Sequence, residues 1–363
     1  MIAIDRRALR VFDYGTLALL AALLVMGILG VASASAGQDL ELAKRQAVWA
    51  SAGLFLAIVL GAIDYRRITG NAYLIWGLAI LALIVVLLFA PQIKGARSWL
   101  RFGSFGLQPS EFAKIAVVLV LARLFSDREP RPFGLRGMIV PILLVMAPAL
   151  LVAVQPDQGT AATFLPILAA IAWAAGLRAG TIAWVVGLGA AAAPLWYLSL
   201  LDYQKARLTS FLNPEADPLG SGYQLVQSKI AVGSGGLTGK GLFSGTQSQL
   251  NFLPEQENDF IMALMAEELG FLGVALVLTL YLALIVRLVR GAYIARDRAG
   301  AHVCLGIAGL LTFHLAINAG MVIGYVPITG IPLPLLSAGG SSVLATCAGV
   351  GLAISVRSRR FLV

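Results

Sequence analysis

Three short stretches collect charged side chains in a chain that otherwise has few. The first, KGARSWLRFGSFGLQPSEFAK at 94–114, sets Glu111 and Lys114 three residues apart. Pro109 suits the first helical position, so Glu111 falls in the first turn, where a carboxylate complements the helix dipole. Lys114 lies on the same face about 4.5 Å deeper. An ammonium there, among apolar residues, needs a carboxylate or a water-filled cavity. Two arrangements meet that need: a structural Glu111–Lys114 pair with Arg97 and Arg101 reaching to head groups, or a basic pocket lined by all four that takes a phosphorylated lipid. The second stretch, QPDQGT at 155–160, puts Asp157 in a tight turn. Asp157 can cap the next helix through Gly159 and Thr160 and can also face a site.

The third stretch, NFLPEQENDFIMALMAEELG at 251–270, carries Glu255, Glu257, Asp259, Glu267 and Glu268 within fourteen residues. Each charge costs about 2.5–3.5 kcal/mol at the centre of a membrane helix, so this stretch reads as an interfacial helix or a cavity wall. Asp259 suits a general base or a metal ligand in such a cavity, and it is also placed to cap the helix that begins at FIMALM. A fourth stretch, VPITGIPLPLLSAGGSS at 326–342, has Pro327, Pro332 and Pro334 and cannot form a regular helix. Irregular backbone at membrane depth is tolerated only against protein or a cavity, so it is expected to wall the site.

The elements that hold these stretches are membrane spans. Charged residues make up 12% of the 363-residue chain and apolar residues 59%, with a mean hydropathy of +0.87, whereas a soluble domain is about a quarter charged. Ten apolar runs are evident, at roughly 14–34, 46–63, 72–90, 110–126, 137–154, 159–176, 180–200, 271–289, 303–325 and 340–356. Each is long enough to cross about 30 Å of hydrocarbon. The fold class expected is an all-α polytopic membrane protein with one membrane domain over 1–363 and a long loop, about 201–270, between spans seven and eight. Within that loop, 223–232 has the pattern of a short interfacial helix.

The net charge of +9 is a topology signal rather than a sign of a nucleic-acid partner. With a cytoplasmic start, the inner segments hold most of the basic residues, among them Arg6, Arg7, Arg66, Arg67, Arg123, Arg128, Arg287, Arg290, Arg357 and Arg360. The outer segments hold most acids, including Asp39, Asp157, Glu215, Asp217 and Asp259. Both termini are therefore expected in the cytoplasm and the long loop outside. Arg6 and Arg7 followed by an apolar run and ASASAG also look like a signal peptide, but the run is longer than a typical h-region.

The glycine run GSGGLTGKGLFSGT at 233–246 fails as a nucleotide-binding loop, because Ser234 and Gly241 stand where that motif needs Gly and Ser or Thr. Lys240 remains a candidate for substrate binding. Cys304 and Cys347 lie in separate spans with no companion ligands, and neither a disulfide nor a metal site follows from them. His314, a turn before Asn318, reads as a buried hydrogen-bonding residue rather than a catalyst.

Together these stretches resemble the SEDS family (shape, elongation, division and sporulation) over nearly the whole chain. NPEADPLGSGYQLVQSKIAVGSGGLTGKG, GTQSQLNFLPE and GMVIGYVPITGIPLP are closest to its RodA, or elongation, branch. The resemblance implies a ten-span fold and a peptidoglycan glycosyltransferase. It would act on lipid II and undecaprenyl-pyrophosphate-linked glycan at the outer face of the bacterial cytoplasmic membrane, beside a class B penicillin-binding protein. It puts the catalytic aspartate at Asp259 and substrate-binding residues at Glu111, Lys114 and Asp157; Arg97, Arg101 and Lys240 are further substrate-binding candidates from their own charge and position. Asn258, Gln158 and Ala338 depart from the usual Thr, Leu and Tyr. A divalent cation, Mg or Mn, is a candidate cofactor, and no nucleotide is expected. Two other readings of the same residues are a flippase that moves lipid II without chemistry and a noncatalytic scaffold for a transpeptidase.

Overall fold

A computed structural model describes residues 12–36, 40–92, 97–102, 105–129, 131–199, 202–213, 220–250 and 252–360. Arg6, Arg7, Asp39, Glu215 and Asp217 lie outside them. Helices occupy all ten expected runs: α1 Tyr14–Ala34, α2 Glu41–Ala62, α4 Ala72–Phe89, α5 Pro109–Ser126, α6 Leu135–Val154, α7 Gln158–Ala162 with α8 Phe164–Ala174, α9 Ala179–Ser199, α13 Ile261–Tyr293, α14 Arg298–Ile323 and α15 Gly340–Ser358. Seven of these are long and apolar enough to cross a bilayer on composition alone. Helix α5 misses that standard because it contains Glu111, Lys114 and Arg123. The sixth expected span is broken at Thr163, whose hydroxyl donates to the Thr160 carbonyl at 2.6 Å. Short helices α3 Tyr65–Gly70, α10 Asp202–Leu212, α11 Ser221–Ser234 and α12 Thr246–Gln249 complete the set. Helix α11 contains the expected 223–232 segment.

The helices are layered by chemistry. Helices α5, α14 and α15 lie inside, with most of their residues buried. Helices such as α4 and α6 turn exposed leucines and valines outward, as lipid-facing helices do. Close packing inside rests on small residues. A Cβ on Gly351 of α15 would lie 2.7 Å from the Ala57 carbonyl of α2, and one on Gly53 would lie 2.8 Å from Cys347 Sγ.

Two features were not legible as elements beforehand. The loop before α5 contains an antiparallel hairpin, β1 Leu100–Phe102 paired with β2 Phe105–Leu107, in which Arg101 faces Gly106 across the ladder. Helix α13 is kinked at Gly270, where φ is +65° and ψ −165°. The first nine residues of α13 are therefore a separate, almost fully buried helix beneath the long loop.

Candidate functional site

The site is built at the end of the bundle where α5, α7, α13 and α15 begin. Pro109 opens α5, as the sequence predicts, and Glu111 and Lys114 are both buried, with side chains 6% and 3% exposed. Their ion pair is 2.8 Å long. Asp157 caps α7: its Oδ1 accepts from the Thr160 amide at 3.1 Å, while its Oδ2 accepts from Gln108 Nε2 at 3.0 Å. Capping and facing the site are thus performed by the two oxygens of one carboxylate. Burial pushes the Asp157 acid above its ordinary range, and the nearby Glu111 charge adds to this, against the Thr160 hydrogen bonds and Lys114.

Asp259 reaches this end of the molecule by a different route. It stands half-buried in the turn 254–260, where its amide and that of Asn258 both donate to the Glu255 carbonyl at 3.1 Å. Phe260, not Asp259, occupies the capping position of α13, so the capping role expected for Asp259 is corrected. The cause is that turn, which closes on Glu255 and delays the helix until Ile261. Asn258, the departure from the usual threonine, donates its side-chain amide to Glu255 Oε2 at 2.9 Å.

The segment 326–341 binds the two groups together. Its prolines leave carbonyls that no helix ladder satisfies, and buried carbonyls need donors. Three helices supply them. Gln46 of α2 donates to the Ser337 carbonyl at 3.1 Å and Tyr281 of α13 to that of Pro334 at 3.2 Å. His314 Nδ1 lies 2.9 Å from the Pro332 carbonyl, and Asn318 Nδ2 donates to the carbonyls of Ile331 at 3.2 Å and Asp259 at 2.9 Å. Helix α15 continues the segment and presents Ser341, whose hydroxyl accepts from the Gln108 amide at 2.9 Å. On the Asp259 side, Ser337 Oγ donates to the Asn258 carbonyl at 2.5 Å and the Ala338 amide to that of Glu257 at 2.8 Å. On the other side, Gly159 packs so closely that a Cβ there would sit 2.6 Å from the Thr329 carbonyl. Gln46, Tyr281, Asn318 and Ser337 were missed as positioning residues. The only sequence signal was their polarity inside apolar runs.

Three expected site residues stand apart from this cluster. Arg97 and Arg101 are exposed, Arg101 on the hairpin and Arg97 just before it. Both are open to solvent, unlike the buried Glu111 and Lys114. Lys240 serves Glu267: its Nζ lies 2.7 Å from Oε1 of that fully buried carboxylate and donates to Thr246 Oγ1 at 2.7 Å. Glu267 also accepts from the amides of Gln247 and Ser248 at 2.9 and 3.3 Å. Its neighbour Glu268 accepts from Ser33 Oγ at 2.6 Å, which ties α1 into the fold. Of these two glutamates, expected at an interface or on a cavity wall, Glu267 is an internal anchor, since a desolvated carboxylate persists only with donors around it, while Glu268 lines a cavity beside α1 with Met26, Leu29 and Gly30.

Among the described residues no three His, Cys, Asp or Glu side chains converge as a metal site. Glu111 is committed to Lys114 and Asp157 to Thr160 and Gln108.

A helical bundle that crosses the membrane many times, with buried ionisable groups and an irregular proline-rich wall at one end, defines a polytopic integral membrane protein with a polar site at one membrane face. The model of the family described as Cell cycle protein, covering FtsW, RodA and SpoVE, matches residues 14–360, and the chain belongs to that family. It is 42% identical over 349 residues to the peptidoglycan glycosyltransferase MrdB of Escherichia coli, covering 96% of this chain and 94% of that one. Among solved structures, it resembles a chain from work on structural coordination of polymerization and crosslinking by a peptidoglycan synthase complex. That chain has a TM-score of 0.81 at 34% identity, with 97% of this chain and 99% of that one covered. The crystal structure of the Thermus thermophilus rod shape determining protein RodA matches with a TM-score of 0.73 at 30% identity, covering 97% and 98%.

Proposed function

We propose that this chain is a peptidoglycan glycosyltransferase that extends glycan strands during cell elongation and so maintains rod shape. It acts as a single membrane domain, with both termini in the cytoplasm and the site at the outer face of the bacterial cytoplasmic membrane. The observation that carries this reading is the match to glycosyltransferase relatives along nearly the full length of both chains, combined with a buried Glu111–Lys114 pair and a half-buried Asp157 joined to the Asp259 turn by one irregular segment.

In the reaction, Asp259 removes the proton from the C4 hydroxyl of the acceptor lipid II sugar. That oxygen forms a bond to the anomeric carbon of the lipid-linked donor strand, with inversion, while the bond from that carbon to the phosphate oxygen breaks. The electron pair leaves with undecaprenyl pyrophosphate. Lys114 meets the growing negative charge, since departure of a pyrophosphate is chiefly an electrostatic problem. Arg97 and Arg101, exposed just before and on the hairpin, engage the diphosphate as the substrate enters. Glu111 holds the Lys114 ammonium in place, and Asp157 orients Gln108 and the start of α7. The reaction draws its energy from the pyrophosphate linkage and needs no nucleotide. The partner is a crosslinking transpeptidase of the class B penicillin-binding type, consistent with the synthase complex that the fold resembles.

The test is polymerisation of labelled lipid II by purified protein. Asp259→Ala should reduce glycan formation by about 100-fold to 10,000-fold, the usual contribution of a general base. If that variant polymerises normally, or if the wild-type protein only moves lipid II between leaflets of a proteoliposome, the assignment is wrong.

A further inference from the structure

At the end of the bundle opposite the candidate site, α13 and α15 finish side by side and a cavity of about 460 Å³ opens between them. Arg290, Arg357 and Arg360 line it, with Val289, Tyr293 and Ile294. Among the described residues, the buried carboxylate of Asp13 faces this cluster and is shared by Arg287 and Arg357. Arg357 is fixed as the floor: its Nη1 donates to the Arg287 carbonyl at 2.9 Å, and its stem passes over Gly291, where a Cβ would meet its Cγ and Cδ at 3.2 Å. Arg290 and Arg360 are exposed at the mouth.

Arginines in the last turn of a helix complement its dipole, and that accounts for Arg290 and Arg357 taken singly. It does not account for their convergence on one pocket, nor for what leads into it. Leu282, Val286, Val289 and Tyr293 are exposed by 52, 46, 45 and 93%, and their spacing puts them on one face of α13. This apolar stripe runs about 16 Å along the helix axis and ends at the guanidinium groups, with Tyr293 at the depth where aromatic residues meet the membrane interface. Apolar track, interfacial aromatic ring and cationic pocket follow in the order of acyl chain, glycerol and phosphate in a lipid. We propose that this pocket binds the head-group phosphate of an anionic glycerophospholipid, whose acyl chain lies along the stripe. Basic pockets between helix ends are suited to such head groups. A free phosphate would satisfy the arginines but make no use of the stripe.

The test is native mass spectrometry of the full-length protein, titrated with phosphatidylglycerol and, separately, phosphatidylcholine. The wild-type protein should prefer phosphatidylglycerol. The pair Arg290→Gln and Arg360→Gln should lower its affinity about 25-fold, or about fivefold per arginine removed. Exposed arginines elsewhere, changed as Arg123→Gln with Arg131→Gln, should leave the preference intact, and thermal melting establishes that both double variants are folded. The proposal is overturned if the Arg290 and Arg360 pair retains the preference, or if the Arg123 and Arg131 pair loses it equally. Displacement of bound phosphatidylglycerol by millimolar inorganic phosphate would also overturn it, by revealing a simple anion site.

Discussion

Replacing Lys114 by methionine separates the structural and chemical roles of the buried ion pair. At 2.8 Å, Lys114 and Glu111 attract each other by about 6 kcal/mol at an effective dielectric of about 20, and the cost of desolvating both ends offsets much of this. Lys114→Met leaves Glu111 buried without its cation, a change that costs about 3–5 kcal/mol. Glu111→Gln added to Lys114→Met removes the stranded charge and should recover most of that stability, which the double-mutant cycle reads as a coupling energy of at least about 3 kcal/mol. Denaturant titration in detergent measures the stabilities, and lipid II polymerisation measures the chemistry. If Lys114 meets the departing pyrophosphate, the stable double variant still polymerises about 100-fold more slowly than wild type, comparable to losing one preorganised electrostatic group. A double variant that recovers both stability and wild-type rate would show that the pair is only structural and that Lys114 has no part in the reaction.

Lys240→Ala should cost about 3 kcal/mol by leaving Glu267 with neutral donors alone, while the polymerisation rate per folded molecule stays near wild type; a large rate loss at unchanged stability would return Lys240 to the substrate site. Asn318→Ala leaves two carbonyls of the site wall without their donor and should cost about 1–3 kcal/mol for each, together with slower polymerisation; an unchanged rate would mean that the wall does not position Asp259. The Asp157 acid is raised in the folded protein, so its protonated form is the one that folding favours. Its contribution is full below the unfolded value, about 3.9, and is lost as pH rises through the folded value. Asp157→Asn keeps a good cap and should therefore be more stable than wild type at pH 7, with the advantage shrinking toward pH 4. A melting series over that range checks this, and an advantage that grew toward acid would contradict the assignment.

The many-span helical fold was legible in the sequence because lipid imposes a length and an apolar composition that few other structures share. Pro109 at the start of α5, the α11 segment and the irregular wall at 326–342 were legible for a similar local reason: proline geometry and side-chain periodicity act over a few residues. The split at Thr163 and the hairpin at 100–107 were not, since a short ladder and a one-residue break carry little local signal.

The site divides along the same line. Glu111 and Lys114 are three residues apart, and the sequence alone was enough to pair them. Glu267 and Lys240 are 27 apart, and their pairing follows from the kink at Gly270 and the folding of the long loop over α13. Whether a lysine in a glycine-rich loop meets substrate or a buried glutamate depends on which charge the fold removes from water. The sequence by itself determined a many-span membrane protein with most of its carboxylates expected at one face. Only the tertiary structure decided which of them stand in the site and which hold it up, because a charge buried in a membrane protein takes its role from the partners that helices far apart in the chain bring to it.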